Sequence, residues 1–99
     1  AGKTVKLLTH PDRNGFIYTL DRTNGDLFTV GKIDATMNEF KDVDFKTGQP
    51  IRDPEYATYM DHLAKDVCPS AMGYHDQAHD SYDPTKQLFY INANHICMD

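Results

Sequence analysis

The stretch HPDRNGFIYTLDR, residues His10–Arg22, decides how this chain begins to fold. Its first half is a polar turn in which Pro11 fixes φ, while Asn14 and Gly15 tolerate the positive φ of a hairpin reversal. Its second half is apolar and rich in residues that favour strands. We therefore expect a tight hairpin that carries Arg13 at its tip.

Arg13 has two possible roles at that tip. A guanidinium held by a stiff turn can direct its donors at a fixed anion or carbonyl. However, loops carry many charged side chains that are only solvated. The residues alone favour the solvated role.

The composition describes one small, acidic domain. The chain has 99 residues, of which 39% are hydrophobic and 25% charged, with a net charge of −5 and a pI near 5.4. Scattered basic residues and an acidic balance argue against nucleic acid as a partner. We expect no transmembrane segment, since no apolar run is long enough, and the start Ala1–Lys3 lacks a signal-peptide pattern.

Three short runs indicate an antiparallel meander. Thr4–Thr9 reads as a strand that stops at Pro11, Phe16–Leu20 as the second strand and Asp26–Val30 as the third. Strands at this spacing, without helices between them, are typical of antiparallel pairing.

A recurrent turn pattern extends along the chain. Asp21–Gly25 and Asp44–Gly48 both have Asp, three residues and then Gly, and Asp83–Gln87 is a weaker version before Leu88–Ile91. An Asp side chain can accept from the amides of its own turn, while Gly takes the left-handed position. Repeated units of this kind suit a propeller or a β-sandwich.

The segment Pro50–Gly73 differs from its surroundings, with three of the five prolines and little alternation. We expect a long surface excursion with at most a short helix near Pro54–Lys65, where Pro54 suits the first helical position. On such a helix Met60, Leu63 and Ala64 would face inward.

Two clusters could carry chemistry. Cys68 and Cys97 are compatible with one disulfide or with two buried thiols. His75 and His79 are four residues apart, which on a helix would suit a metal. In a turn that spacing has no such meaning, so we favour polar side chains that hold loop backbone groups and expect no metal site.

Several long motifs resemble the large subunit of quinoprotein methanol dehydrogenase. They are HPDRNGFIYTLDRTNGDL (His10–Leu27), DFKTGQPIRDPEYATYMDH (Asp44–His62), CPSAMGYHDQAHDSYDP (Cys68–Pro84) and NHICMD (Asn94–Asp99). The resemblance implies an all-β fold of antiparallel strands, forming part of two blades of an eight-bladed β-propeller. Residues 1–99 would be an internal segment of that single domain, with strands at about 4–33 and 79–98 around a loop-rich insertion at about 34–78.

The resemblance also implies an activity. Members of this family are periplasmic oxidoreductases that oxidise methanol or other small primary alcohols with pyrroloquinoline quinone (PQQ) and a calcium or lanthanide ion. Electrons pass to a c-type cytochrome, and the expected protein partners are a second large subunit and a small subunit. The family's catalytic base and metal ligands match no position here and would lie upstream, so we expect this segment alone to be inactive.

Four positions of this chain match functional residues of the family. Arg13 matches an arginine that contacts the quinone oxygens of the cofactor, where its charge would stabilise the reduced anion. Cys68 and Cys97 match a disulfide pair. Asp76 matches a cofactor-contacting position that is normally Asn.

Asp76 changes the chemistry of that contact, because an ionised carboxylate can only accept a hydrogen bond. Either Asp76 is protonated, or it turns toward another donor, or the affinity for the cofactor is reduced; we favour the last. The same residue supports an alternative function, a non-catalytic extracellular β-propeller that binds a partner or small ligand.

Overall fold

The strands form three separate antiparallel units. The computed structural model describes residues 2–99. A meander contains β1 (Leu7–Pro11), β2 (Phe16–Asp21) and β3 (Leu27–Lys32), one hairpin contains β4 (Phe40–Val43) and β5 (Pro50–Arg52), and another contains β6 (Ser81–Asp83) and β7 (Leu88–Tyr90). Within residues 2–99 the helical structure is a single 3-10 turn at Pro54–Tyr56. The prediction of an all-β, antiparallel fold is confirmed.

The predicted position of the first strand is wrong. β1 is displaced toward the C-terminus relative to Thr4–Thr9, and it includes Pro11, which pairs with Ile17 at the end of the ladder. A proline is tolerated there because β1 is an edge strand and Pro11 is its last residue, so the missing N–H interrupts no interior pairing. The order β1-β2-β3 is the predicted meander.

One hydrogen bond recurs in the three predicted turns. The carboxylate of the leading aspartate accepts from the backbone N–H two residues later, at 2.8–2.9 Å; these residues are Asp21, Asp44 and Asp83. Gly25 and Gly48 take the left-handed position of the first two turns, with φ of 83° and 72°. In the third turn Gln87 takes it, with φ of 55°, which explains why the pattern is weaker in sequence.

The expected helix is reduced to the 3-10 turn. The Asp53 side chain accepts from the N–H of Glu55 at 3.1 Å, and Pro54 holds the first position, as predicted. The inward orientation predicted for Met60 and Leu63 is wrong: they are 101% and 66% exposed. Since the helix ends at Tyr56, the residues beyond it share no common face, and only Ala64 of the predicted set is buried.

The core lies where the meander meets β4 and a distant loop residue. Phe16, Met37, Val43 and Tyr74 are buried together. Partly buried apolar side chains pack around them; they are Tyr18, Leu27, Val30, Ile33 and Phe40. Tyr74 brings the segment that precedes β6 into contact with the first hairpin.

A disulfide joins Cys68 to Cys97, so the predicted pairing is confirmed. On either side of this bond the backbone of residues 67–70 pairs with that of residues 96–98. The N–H of Ser70 donates to the carbonyl of Ile96 at 2.7 Å, and Val67 and Met98 exchange two hydrogen bonds. The C-terminal segment is thereby held against the loop that precedes Tyr74.

Large apolar side chains stay exposed on β1 and on the β6–β7 hairpin, including Leu8 and Phe89. Exposed faces of this kind are typical of repeat elements that pack against neighbouring units. Among residues 2–99 there is no helix whose length and apolar character would allow it to cross a membrane.

Candidate functional site

Arg13 and Asp76, the two predicted cofactor-contacting residues, line the same cleft. Its volume is about 340 Å³, at the lower end of the range for small-molecule pockets. The other lining residues are Met72, Tyr74, His75, Gln77, Ala78, Asn92, Ala93 and Asn94. The cleft thus lies between the β1–β2 turn, the 72–78 segment and the 92–94 segment.

Local hydrogen bonds hold the turn that carries Arg13. The N–H of Asp12 donates to the carbonyl of Phe16 at 2.8 Å, and the N–H of Gly15 donates to the carbonyl of Asp12 at 3.1 Å. The side-chain oxygen of Asn14 accepts from the N–H of Phe16 at 3.0 Å. The tip of the hairpin is therefore stiff, as the sequence predicts.

Contacts with a distant loop also hold Arg13. Its Nη2 donates to the carbonyl of Ala71, and its own carbonyl accepts from the N–H of Tyr74 at 3.1 Å. The side chain is exposed but tethered, which differs from the freely solvated role. A guanidinium carries five N–H donors, so one bond to Ala71 leaves donors for a ligand.

Asp76 supplies the opposite charge. It is exposed, and no residue within 2–99 donates a hydrogen bond to its carboxylate, so the alternative in which it turns toward another donor has no support within this range. Amide side chains of Gln77, Asn92 and Asn94 line the same cleft. These groups can donate to carbonyl or carboxylate oxygens of a ligand.

His75 connects two walls of the cleft. Its side chain is 4% exposed; Nδ1 lies 2.8 Å from the carbonyl oxygen of Asn92, and Nε2 lies 3.2 Å from Oδ2 of Asp80. His75 therefore holds loop backbone, the role that sequence reasoning favoured over metal binding. Within residues 2–99 no group of three or more His, Cys, Asp or Glu side chains is arranged to hold a metal ion.

Sequence reasoning missed the lining residues Tyr74, Asn92 and Asn94. Tyr74 is buried, and this burial raises the pKa of its hydroxyl. The N–H of Asn94 donates to the carbonyl of Tyr74 at 2.7 Å, and this bond holds the 92–94 segment in the wall of the cleft. No local pattern marks these residues, because their place depends on contacts across 17 or more positions.

The chain is similar in sequence to several methanol dehydrogenases. The chain is 72% identical over 98 residues to methanol dehydrogenase [cytochrome c] subunit 1 of Methylobacterium organophilum, covering 99% of the chain and 16% of that protein. It is 42% identical over 106 residues to the lanthanide-dependent methanol dehydrogenase of Methylorubrum extorquens, covering 99% of the chain and 18% of that protein. No protein-family model matches.

A solved structure gives the same result for the fold. A europium-containing methanol dehydrogenase matches with a TM-score of 0.87 and 35% identity, over 97% of this chain and 16% of that one. These findings confirm the predicted resemblance to the methanol dehydrogenase large subunit and the assignment to part of a β-propeller. The chain spans about a sixth of the length of the curated relatives it matches.

Proposed function

We propose that this chain is a segment of the large subunit of a PQQ-dependent methanol dehydrogenase, which oxidises methanol or another small primary alcohol to the aldehyde. The observation that carries the proposal is the meeting of Arg13 with the amide-bearing residues Gln77, Asn92 and Asn94 on one cleft, although more than 60 positions separate Arg13 from them in sequence. The identity of the chain to named methanol dehydrogenases over nearly its whole length supports it.

The cleft is lined by residues whose side chains can donate hydrogen bonds to PQQ. PQQ is a flat quinone with several carboxylates, and a guanidinium with amide groups around it suits both its carbonyl and its carboxylate oxygens. Arg13 and the amides of Gln77, Asn92 and Asn94 are the residues that would hold it. When bound, PQQ supplies the capacity to accept two electrons from the alcohol.

Arg13 contributes a fixed positive charge to this chemistry. Because the turn and the Ala71 carbonyl hold the guanidinium in place, it requires little reorganisation to stabilise negative charge on a ligand oxygen. Preorganised charge of this kind commonly contributes more to enzymatic rate enhancement than any other single effect.

The remaining machinery belongs to other parts of the enzyme. A calcium or lanthanide ion completes the site, and the names of a lanthanide-dependent relative and of a europium-containing structure support this. Its ligands and the catalytic base match no position in this chain, so residues 1–99 alone have no catalytic activity.

The same resemblance provides the partners and the compartment. The electron acceptor is a c-type cytochrome, in agreement with the name of the 72%-identical relative. The enzyme assembles with a second large subunit and a small subunit in the periplasm. The Cys68–Cys97 disulfide suits that oxidising compartment.

Asp76 favours a second candidate function. A carboxylate without an internal donor beside the cofactor opposes a reduced, anionic ligand, which would suit a propeller that binds a ligand without catalysis. An upstream carboxylate base and a set of oxygen ligands for a metal would support the enzyme, and their absence would support the binding module.

The deciding experiment uses the full-length protein that contains this segment. It is purified, incubated with PQQ and calcium or a lanthanide, and assayed for PQQ retention and for methanol-dependent reduction of a dye. Retention with turnover supports the enzyme. Retention without turnover supports the binding module, and the absence of both overturns the assignment.

A further inference from the structure

Met72 is a large apolar side chain that stays exposed on the cleft. It is 59% exposed and lines the same cleft as Arg13. Among the cleft residues that the structure describes, it is the only large apolar side chain open to solvent, because Ala78 and Ala93 are small and Tyr74 is buried. Ligand pockets combine a few polar groups with apolar side chains that the ligand covers, so Met72 needs a ligand to cover it.

The turn that carries Met72 is held in place by hydrogen bonds. The N–H of Gly73 donates to the carbonyl of Ser70 at 2.8 Å, and the N–H of Met72 donates to the Ser70 hydroxyl at 3.3 Å. The N–H of Ser70 in turn donates to the carbonyl of Ile96 at 2.7 Å. Because the backbone is already fixed, contact with a ligand requires little further ordering of this turn.

The same turn is joined to Arg13 on both sides of Met72. The Arg13 guanidinium donates to the carbonyl of Ala71, and the Arg13 carbonyl accepts from the N–H of Tyr74 at 3.1 Å. Met72 and Arg13 therefore offer an apolar and a cationic group side by side. This combination suits a flat ligand with oxygens at its rim and a carbon frame between them. A thioether also makes favourable contacts with aromatic rings, often at the ring edge.

We propose that Met72 is a further ligand-contact residue of the cleft, and that its side chain covers part of the ring system of the molecule whose oxygens Arg13 binds. This inference rests on the proposed function, under which that molecule is PQQ. Met60 provides the contrast within the chain, because it is 101% exposed, lies on the Tyr59–His62 turn and is not a lining residue of the cleft.

The first test is methionine oxidation by dilute hydrogen peroxide in the full-length protein, with and without PQQ and its metal, followed by mass spectrometry. Peroxide converts an accessible methionine to the sulfoxide. Without PQQ, Met72 should be oxidised at a rate close to that of Met60. With PQQ, the rate at Met72 should fall toward that of Met37, which is buried, while the rate at Met60 stays the same.

The second test separates the apolar contact from a structural effect by substitution. Met72→Leu keeps an apolar side chain of similar volume and should retain most of the affinity for PQQ. Met72→Gln should lower that affinity about tenfold, because a polar amide replaces an apolar contact. Met60→Gln is the matched control and should bind PQQ as the parent does. Both positions are exposed, so all three variants should unfold at the same urea concentration as the parent.

The outcomes distinguish this inference from the proposed function. Retention of PQQ with protection of Met72, and weaker binding in Met72→Gln than in Met72→Leu, supports the contact. Retention of PQQ with Met72 oxidised as fast as in the cofactor-free protein, or with equal affinity in Met72→Gln and the parent, overturns the contact and leaves the proposed function standing. Slow oxidation of Met72 already without PQQ also overturns it, because another part of the protein would then cover the side chain. A parent that retains no PQQ overturns the proposed function and this inference together.

Discussion

Gly73 lies against Arg13 so closely that no side chain fits between them. A Cβ on Gly73 would lie 2.2 Å from Cγ of Arg13 and 2.7 Å from its carbonyl oxygen. Gly73 also has a positive φ of 76°. This close approach allows the hairpin tip to rest on the 71–74 loop and places the guanidinium at the cleft.

Gly73→Ala should therefore destabilise the full-length protein and displace Arg13. Gly48→Ala is the matched control, because Gly48 has a φ of 72° with no atom within 4 Å of its Cβ position. Both variants strain the backbone, but only Gly73→Ala also overpacks, at an extra cost of about 1–3 kcal/mol. Urea unfolding measures the difference, and equal midpoints for the two variants would contradict the contact.

Under the proposed function, Arg13→Gln should lower the turnover of the full-length protein loaded with PQQ by about 10²–10³-fold, since it would remove a preorganised charge beside the cofactor. Arg22→Gln, in the exposed Asp21–Gly25 turn, is the control and should leave turnover unchanged. Steady-state kinetics with dye reduction provide the measurement. Unchanged turnover in Arg13→Gln would place the guanidinium away from the reaction.

Under the proposed function, Asp76→Asn should raise the affinity of the full-length protein for PQQ, because an amide can donate to a ligand oxygen and an ionised carboxylate cannot. The gain of one hydrogen bond of the charged type is worth about 10–100-fold in affinity. Titration of the cofactor-free protein with PQQ, followed by fluorescence, measures it, with Asp61→Asn as an exposed control. Equal affinity and turnover in parent and variant would sink this explanation of Asp76.

Asp34 should make the protein sensitive to acid. The N–H and the hydroxyl of Thr36 both donate to Oδ1 of Asp34 at 2.8 Å, and these bonds lower the pKa of the carboxyl below its ordinary 3.8. A carboxyl whose pKa is lower in the folded state stabilises the fold at pH values above its ordinary pKa. This stabilisation is lost as the pH falls through the folded-state pKa.

Asp34→Asn should accordingly be less stable than the parent near neutral pH and should lose less stability on acidification below about pH 4. Urea midpoints measured along a pH series test this, with Asp61→Asn as the surface control. Parallel curves for Asp34→Asn and the parent would show that Asp34 has the same ionisation in the folded and unfolded states.

Much of the local structure could be predicted from short patterns. The aspartate-led turns, the meander and the helical start at Pro54 depend on residues a few positions apart, and the structure has all three. The same short patterns also led to two errors, in the bounds of β1 and in the orientation of Met60. β1 includes Pro11 because an edge position tolerates it, and Met60 is exposed because the chain leaves the helix at Tyr56.

The sequence by itself determined the stiff turn beneath Arg13, the two cysteines available for one bridge and the likeness to methanol dehydrogenase. Only the tertiary structure decided that Gly73 supports Arg13, that Asn92 and Asn94 line the cleft and that His75 is enclosed by Asn92 and Asp80. The conformation of a turn depends on the adjacent backbone and can therefore be predicted from neighbouring residues. A cleft between segments about 60 positions apart depends on long-range packing, which no local pattern records.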